Sequence, residues 1–156
     1  MSNTDRKESG YGFYYRGVEK DKFITFLKAH KSSFCKTPKE NDWFYGITND
    51  KTIEDMEDID NLLWNYFDDF CGLGCGSLAA VANIMHRETG ISFSAMQGNS
   101  NCGAKEAIMF SYSAPWNYNE TEKNLTPTEL NAICKKYLKE LGIEDEVCCD
   151  LVFDCY

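Results

Sequence analysis

Apolar residues recur along this chain at two spacings, and the alternation between them divides it into strands and helices. YGFYYRGV (11–18) is aromatic and reads as a first strand, after which EKDKFITFLKAH sets Phe23, Phe26, Leu27 and His30 on one helical face. Residues 31–42 read as a polar connector containing Pro38, and DWFYGIT (Asp42 to Thr48) as a second short strand. The clearest helix follows, with Ile53, Met56, Ile59, Leu63, Phe67 and Phe70 three and four residues apart. Thr52 with Asp55 resembles a capping box at its start.

A glycine-rich turn then leads to a helix over about 77–88, with an apolar stripe of Leu78, Val81 and Met85 and a stop at Gly90. ISFSAMQ alternates as a half-buried strand, GNSNCGAK is a loop, and EAIMFSYSA (106–114) returns as the second arm of a hairpin. In TPTE, Thr126 caps, Pro127 takes the first helical position and Glu129 completes a capping box. That helix buries Leu130, Ile133, Tyr137, Leu138 and Leu141 and stops at Gly142, and EVCCDLVFDCY closes as an alternating strand. The order β, α, β, α, α, β, β, α, β predicts a single α+β domain over 11–156 behind a flexible tail at 1–10. Its antiparallel or mixed sheet of four to five strands carries three to four helices, packed mainly on one face.

At 156 residues, 43% of them apolar and 14% aromatic, the chain has the material for one packed core. MSNTDRKESG has no apolar stretch of the kind that targets a chain for export, so a cytoplasmic protein is expected, in the host cytoplasm if a phage encodes it. No membrane association is expected. A reducing compartment makes the eight cysteines free thiols and the sequons at Asn119 and Asn124 chance matches. Without a CxxC pair, Cys71, Cys75, Cys148 and Cys149 are the only candidates for a structural zinc. Small buried hydrophobes are the expected role for the cysteines, and no metal or cofactor is expected.

The formal charge of −9 is unevenly spread. Residues 1–40 carry a net +4, residues 41–70 a net −8, residues 71–115 balance, and 116–156 carry −5. Such a surface repels phosphate backbones, which excludes direct nucleic-acid binding and favours a basic partner. Glu54, Glu57, Asp58 and Asp68 share the outer face of the helix over 53–70, an acidic ridge about 25 Å long at 1.5 Å per residue. Trp43, Tyr45, Trp64 and Tyr66 accompany it. Rings supplying area beside acids that meet Lys and Arg suit a protein–protein interface, and spaced acids also imitate a phosphate backbone. The expected function is therefore a small acidic binding or inhibitory protein, of the anti-CRISPR kind carried by phages and mobile elements. Its expected partner is the basic surface of a nuclease or CRISPR effector, contacted by Glu54, Glu57, Asp58, Asp68, Trp43, Tyr45 and Trp64. The loop around Trp116 and Tyr118 is the second place to look for that interface.

Two other functions attach to FDDFCGLGCGS (67–77), where Cys71 and Cys75 lie among three glycines ahead of an apolar helix. Helix N-terminal amides lower a thiol pKa and bind anions. CGLGCGSLAAVANIM resembles the nucleophile helix of the C39 family of papain-like cysteine peptidases. The resemblance implies Cys71 as nucleophile and Asn65 at the position of that family's glutamine, with Asn in place of Gln. Such peptidases need a histidine base well downstream, and this chain has only His30 and His86. His30 reads as a satisfied core or boundary histidine. Alternatively the chain is a small-ligand or nucleotide-binding module whose phosphate site is the turn at 71–77, although GLGCGS departs from GxGxxG and lacks a P-loop lysine. Asp68 and Asp69 read as the end of an amphipathic helix rather than an acid/base pair.

Overall fold

The computed structural model describes residues 6–49, 51–71, 76–96, 107–111, 115–144 and 147–155. The α+β class expected from the pattern is observed. Strand β1 (Arg6–Tyr14) begins five residues earlier than expected, inside the segment read as a tail, and is followed by helices α1 (Lys20–Ala29), α2 (Lys31–Phe34), α3 (Pro38–Asn49), α4 (Met56–Cys71) and α5 (Gly76–Thr89). The hairpin strands β2 (Phe93–Met96) and β3 (Ala107–Ser111), helix α6 (Pro127–Glu140) and strand β4 (Cys148–Cys155) complete it. Among the described residues there are thus six α-helices rather than three or four.

The additional helices lie where the sequence reads as connector and strand. TPKE (37–40) is a second capping box: the Glu40 N–H donates to Thr37 Oγ1 at 3.2 Å, and Glu40 Oε1 accepts the N–H groups of Lys36 and Thr37, both at 3.0 Å. Pro38 at the first helical position brings its φ already set. Once started, α3 carries Asp42–Thr48 as helix, because Glu40, Trp43 and Ile47 fall at a spacing of three and four and all three are buried. The aromatic run WFY reflects burial on one helical face rather than a strand.

The sheet is antiparallel throughout, in the order β2-β3-β1-β4, so the first strand lies in its interior. Phe13 pairs with Ile108, Tyr11 with Phe110, Phe93 with Phe110 and Ala95 with Ile108, which puts these side chains on one face. That face meets residues of α1, α3, α4, α5 and α6 in a single apolar cluster. Helix α5 is central to it: Gly76 to Ala82, then Ile84 and Met85, are buried, as expected of a helix with small or apolar residues on every side. A Cβ at Gly10 would lie 2.0 Å from the Phe110 carbonyl oxygen, and one at Gly12 2.0 Å from that of Ile108. The glycines therefore let β1 and β3 approach where no side chain fits.

Helix α4 begins at Met56, with Asp55 in the role assigned to Thr52. Asp55 Oδ1 accepts the Asp58 N–H at 3.1 Å, and Asp58 Oδ2 accepts the Glu54 N–H at 2.8 Å. Helix α6 starts as expected, with Thr126 Oγ1 accepting from the Glu129 N–H at 3.2 Å. It ends at Glu140, and just beyond it Gly142, with a φ of 74°, permits the Ile143 N–H to reach the Leu138 carbonyl at 3.1 Å.

Candidate functional site

The starts of α1 and α4 lie near one another and border a wide, shallow cleft of about 590 Å³. Glu19 and Asp21 line one wall, Glu54, Asp55 and Glu57 the other, and Lys20 is the one base among the described residues on its walls. All five carboxylate side chains are exposed. Lys20 is turned toward the backbone, its Nζ donating to the Ile53 carbonyl at 3.4 Å. Five formal negative charges around one shallow depression, with a single half-buried ammonium, give this surface a negative potential. Two of these acids, Glu19 and Asp21, come from the segment whose net charge is positive, so charge patterning alone does not single them out. The available signal was positional, since both stand at the start of α1, where acids favour the helix dipole.

Only part of the expected partner face assembles there. Glu54 and Glu57 belong to the cleft. Asp58 is half-buried and held by the Glu54 N–H, so it serves the start of α4. Trp43 must be removed from the face altogether: at 7% exposure it belongs to the core, because α3 turns it inward with Ile47. Tyr45, on the opposite side of α3, is 69% exposed. Trp64, Asn65 and Asp68 fall within α4, but their side chains lie outside the described residues. In the alternative region, Trp116 is 78% exposed, while Tyr118 packs on Phe110 with ring centroids 5.1 Å apart.

Cys71 is the last residue of α4, not the residue that opens the next helix. Residue 71 therefore stands at a helix C-terminus, where the backbone leaves carbonyl groups unpaired. Its side chain, Cys75 and the turn at 72–75 lie outside the described residues. The first turn of α5 already has an anionic partner from within the chain, because Asp60 Oδ1 accepts the Ser77 N–H at 3.0 Å. The histidines are committed elsewhere. His86 donates through Nδ1 to the Ile91 carbonyl at 2.8 Å, and both ring nitrogens of the buried His30 contact carboxylates.

Of the cysteines with described side chains, Cys134 is buried and its thiol is pushed up to about 12 by that burial. Cys35 is half-buried and also raised, mainly by burial and further by the Glu40 charge, against the lowering effect of Lys31. Neither has the character of a thiolate nucleophile. Among the described residues no group of three or more His, Cys, Asp or Glu side chains is arranged to hold a metal ion, and no helix is long and apolar enough to cross a membrane. Comparison with protein-family models, with curated proteins and with solved structures gives no match.

Proposed function

We propose that this protein acts by binding a basic protein surface through the cleft between α1 and α4, as an inhibitor of a nucleic-acid-handling enzyme. The observation that carries this reading is the convergence of Glu19, Asp21, Glu54, Asp55 and Glu57 around one concavity. Carboxylates on separate elements facing one space repel each other, a cost that a ligand bearing several Lys or Arg side chains relieves. A nuclease channel that binds a phosphate backbone has that character, and a CRISPR effector is the example we favour. The small size and acidity of the chain support a phage or mobile-element source.

The test uses purified CRISPR effectors and other nucleases loaded with their guide or substrate. Cleavage of target DNA should be lost on adding the protein, and duplex DNA should compete with it for the enzyme. The paired change Glu54→Lys/Glu57→Lys should abolish inhibition while leaving the circular dichroism spectrum unchanged. Inhibition that survives this charge reversal would rule out the cleft as the contact.

A further inference from the structure

Away from the acidic cleft, five elements meet at a partly buried polar cluster centred on the buried His30, the residue that closes α1. His30 Nδ1 lies 2.6 Å from Glu88 Oε2 on α5, and Nε2 lies 2.5 Å from Glu140 Oε2 on α6. We propose that His30 is a protonation-dependent clamp: as an imidazolium it ties the end of α1 to both α5 and α6, and loss of its proton in the alkaline direction releases the last turn of α6.

A neutral imidazole has one N–H and one bare lone pair, whereas the imidazolium has two N–H groups. Both partner atoms are carboxylate oxygens, so only the imidazolium satisfies both contacts. A neutral ring leaves one lone pair facing another at hydrogen-bond distance, in a site where His30 is only 8% exposed. Burial pulls the His30 pKa down, but the hydrogen bonds to Glu140 and Glu88 and their negative charges outweigh it, and the net shift is upward.

The neighbouring groups reinforce this polarity. On α5, Glu88 is fully engaged: Tyr137 Oη donates to its Oε1 at 2.6 Å, and Ser33 Oγ of α2 donates to its Oε2 at 2.5 Å. Burial raises the Glu88 pKa, but the bonds from Ser33, Tyr137 and His30 more than offset that, so it stays ionised. Arg87 is directed at α3, with its guanidinium 2.8 Å from Glu40 and 3.4 Å from the Ser33 carbonyl. Lys31 of α2 lies over the Phe44 ring and Lys136 of α6 over the Tyr137 ring, each 5.5 Å from the centroid. Cys134 and Tyr137 on α6 titrate well above the neutral range, so they do not share it with His30. The Phe26 and Tyr137 rings, with centroids 4.4 and 5.8 Å from that of His30, cover the imidazole.

With a folded pKa above the unfolded 6.5, the clamp contributes fully below pH 6.5 and is lost as pH rises through the folded value. Nitrogen-15 NMR of the histidine-labelled full chain, titrated with pH, should show both His30 ring nitrogens protonated below a midpoint that lies above 6.5. The unfolding equilibrium constant in urea should rise by up to tenfold per pH unit between 6.5 and that midpoint, then level off. In Glu140→Gln the amide accommodates a neutral ring, so the midpoint should fall toward 6.5 and the alkaline loss should shrink. His30→Gln should lack this loss, and Glu140→Gln carries the test should His30→Gln fail to fold. A His30 midpoint at or below 6.5 in the wild type, or an unchanged midpoint and slope in Glu140→Gln, would overturn the proposal.

Discussion

The Asp60 carboxylate of α4 accepts the Ser77 N–H at the start of α5 at 3.0 Å, so the helices flanking the glycine-rich turn are joined by a side chain as well as by the chain itself. One helix thereby supplies the N-terminal acceptor of the next, a role that usually falls to a residue adjacent in sequence. Asp60→Ala should cost about 1–2 kcal/mol, read from urea unfolding. Asp60→Asn, which keeps an acceptor oxygen, should cost less than half of that. Equal losses in the two variants would show that this bond contributes little to stability.

Gly10 and Gly12 should be the least tolerant surface-independent positions of the sheet. With a Cβ 2.0 Å from a carbonyl oxygen in each case, Gly10→Ala or Gly12→Ala must push β1 away from β3. We expect a loss of about 3 kcal/mol or a chain recovered only in aggregates. Gly46→Ala is the control, since a Cβ there meets nothing within 4 Å. Its helical position on α3 should make it neutral or stabilising by up to about 1 kcal/mol, measured by thermal melting.

Acid should weaken the fold through Glu40 and Glu122. Both are buried, which raises a carboxyl pKa, but Arg87 and the Lys36 amide at Glu40, and the Asn119 and Ser92 groups at Glu122, bring both below 4.5. The stability they contribute is complete above pH 4.5 and is lost as pH falls through their folded values, where the unfolded chain binds more protons. Glu40→Gln should therefore be less stable than wild type at pH 7 and show a shallower decline below pH 4.5. A parallel decline in the two proteins would remove Glu40 from the account.

The two described thiols should be slow to react. Cys134, its thiol pushed up to about 12, and Cys35, raised by burial, should resist iodoacetamide at pH 7 and become labelled in urea. Peptide mass spectrometry after timed alkylation reads this directly. Rapid labelling of Cys134 in native buffer would mean that α6 opens from the core on the labelling timescale.

Salt should discriminate the acidic cleft from an apolar interface. Between about 0.05 and 0.5 M salt the Debye length falls from roughly 14 to 4 Å. Binding of an oligolysine probe to the wild-type protein should weaken by at least tenfold across that range, and Glu54→Lys/Glu57→Lys should bind weakly at both ends. Isothermal titration calorimetry at each salt concentration gives the comparison.

Much of this architecture is legible in the residues, and the failures have physical causes. TPTE at 126–129 reads correctly because a long 3.6-residue stripe follows it, whereas the equivalent TPKE at 37–40 is followed by adjacent aromatics that imitate a strand. Local capping chemistry outweighs that resemblance. Trp43 reads as an interface residue beside acids, but its register with Ile47 buries it. The carboxylate partners of His30 stand 58 and 110 residues away, a tertiary fact that no local pattern carries. Glu19 and Asp21 join the acidic cleft for the same reason: only the tertiary fold brings the start of α1 near the start of α4.

The placement of β1 between β3 and β4 also governs when the chain can fold during synthesis. Arg6 pairs with Cys155, and Phe13 with Ile108, so β1 waits during synthesis for partners that follow it 149 and 95 positions later in the chain. Helices α1 to α5 emerge before either partner strand is available, and their apolar faces have no sheet to cover. A nascent chain stalled before residue 107 would therefore expose a half-built core and depend on chaperones. Placing β1 after β4 by circular permutation would shorten the β1–β4 closure and should speed folding.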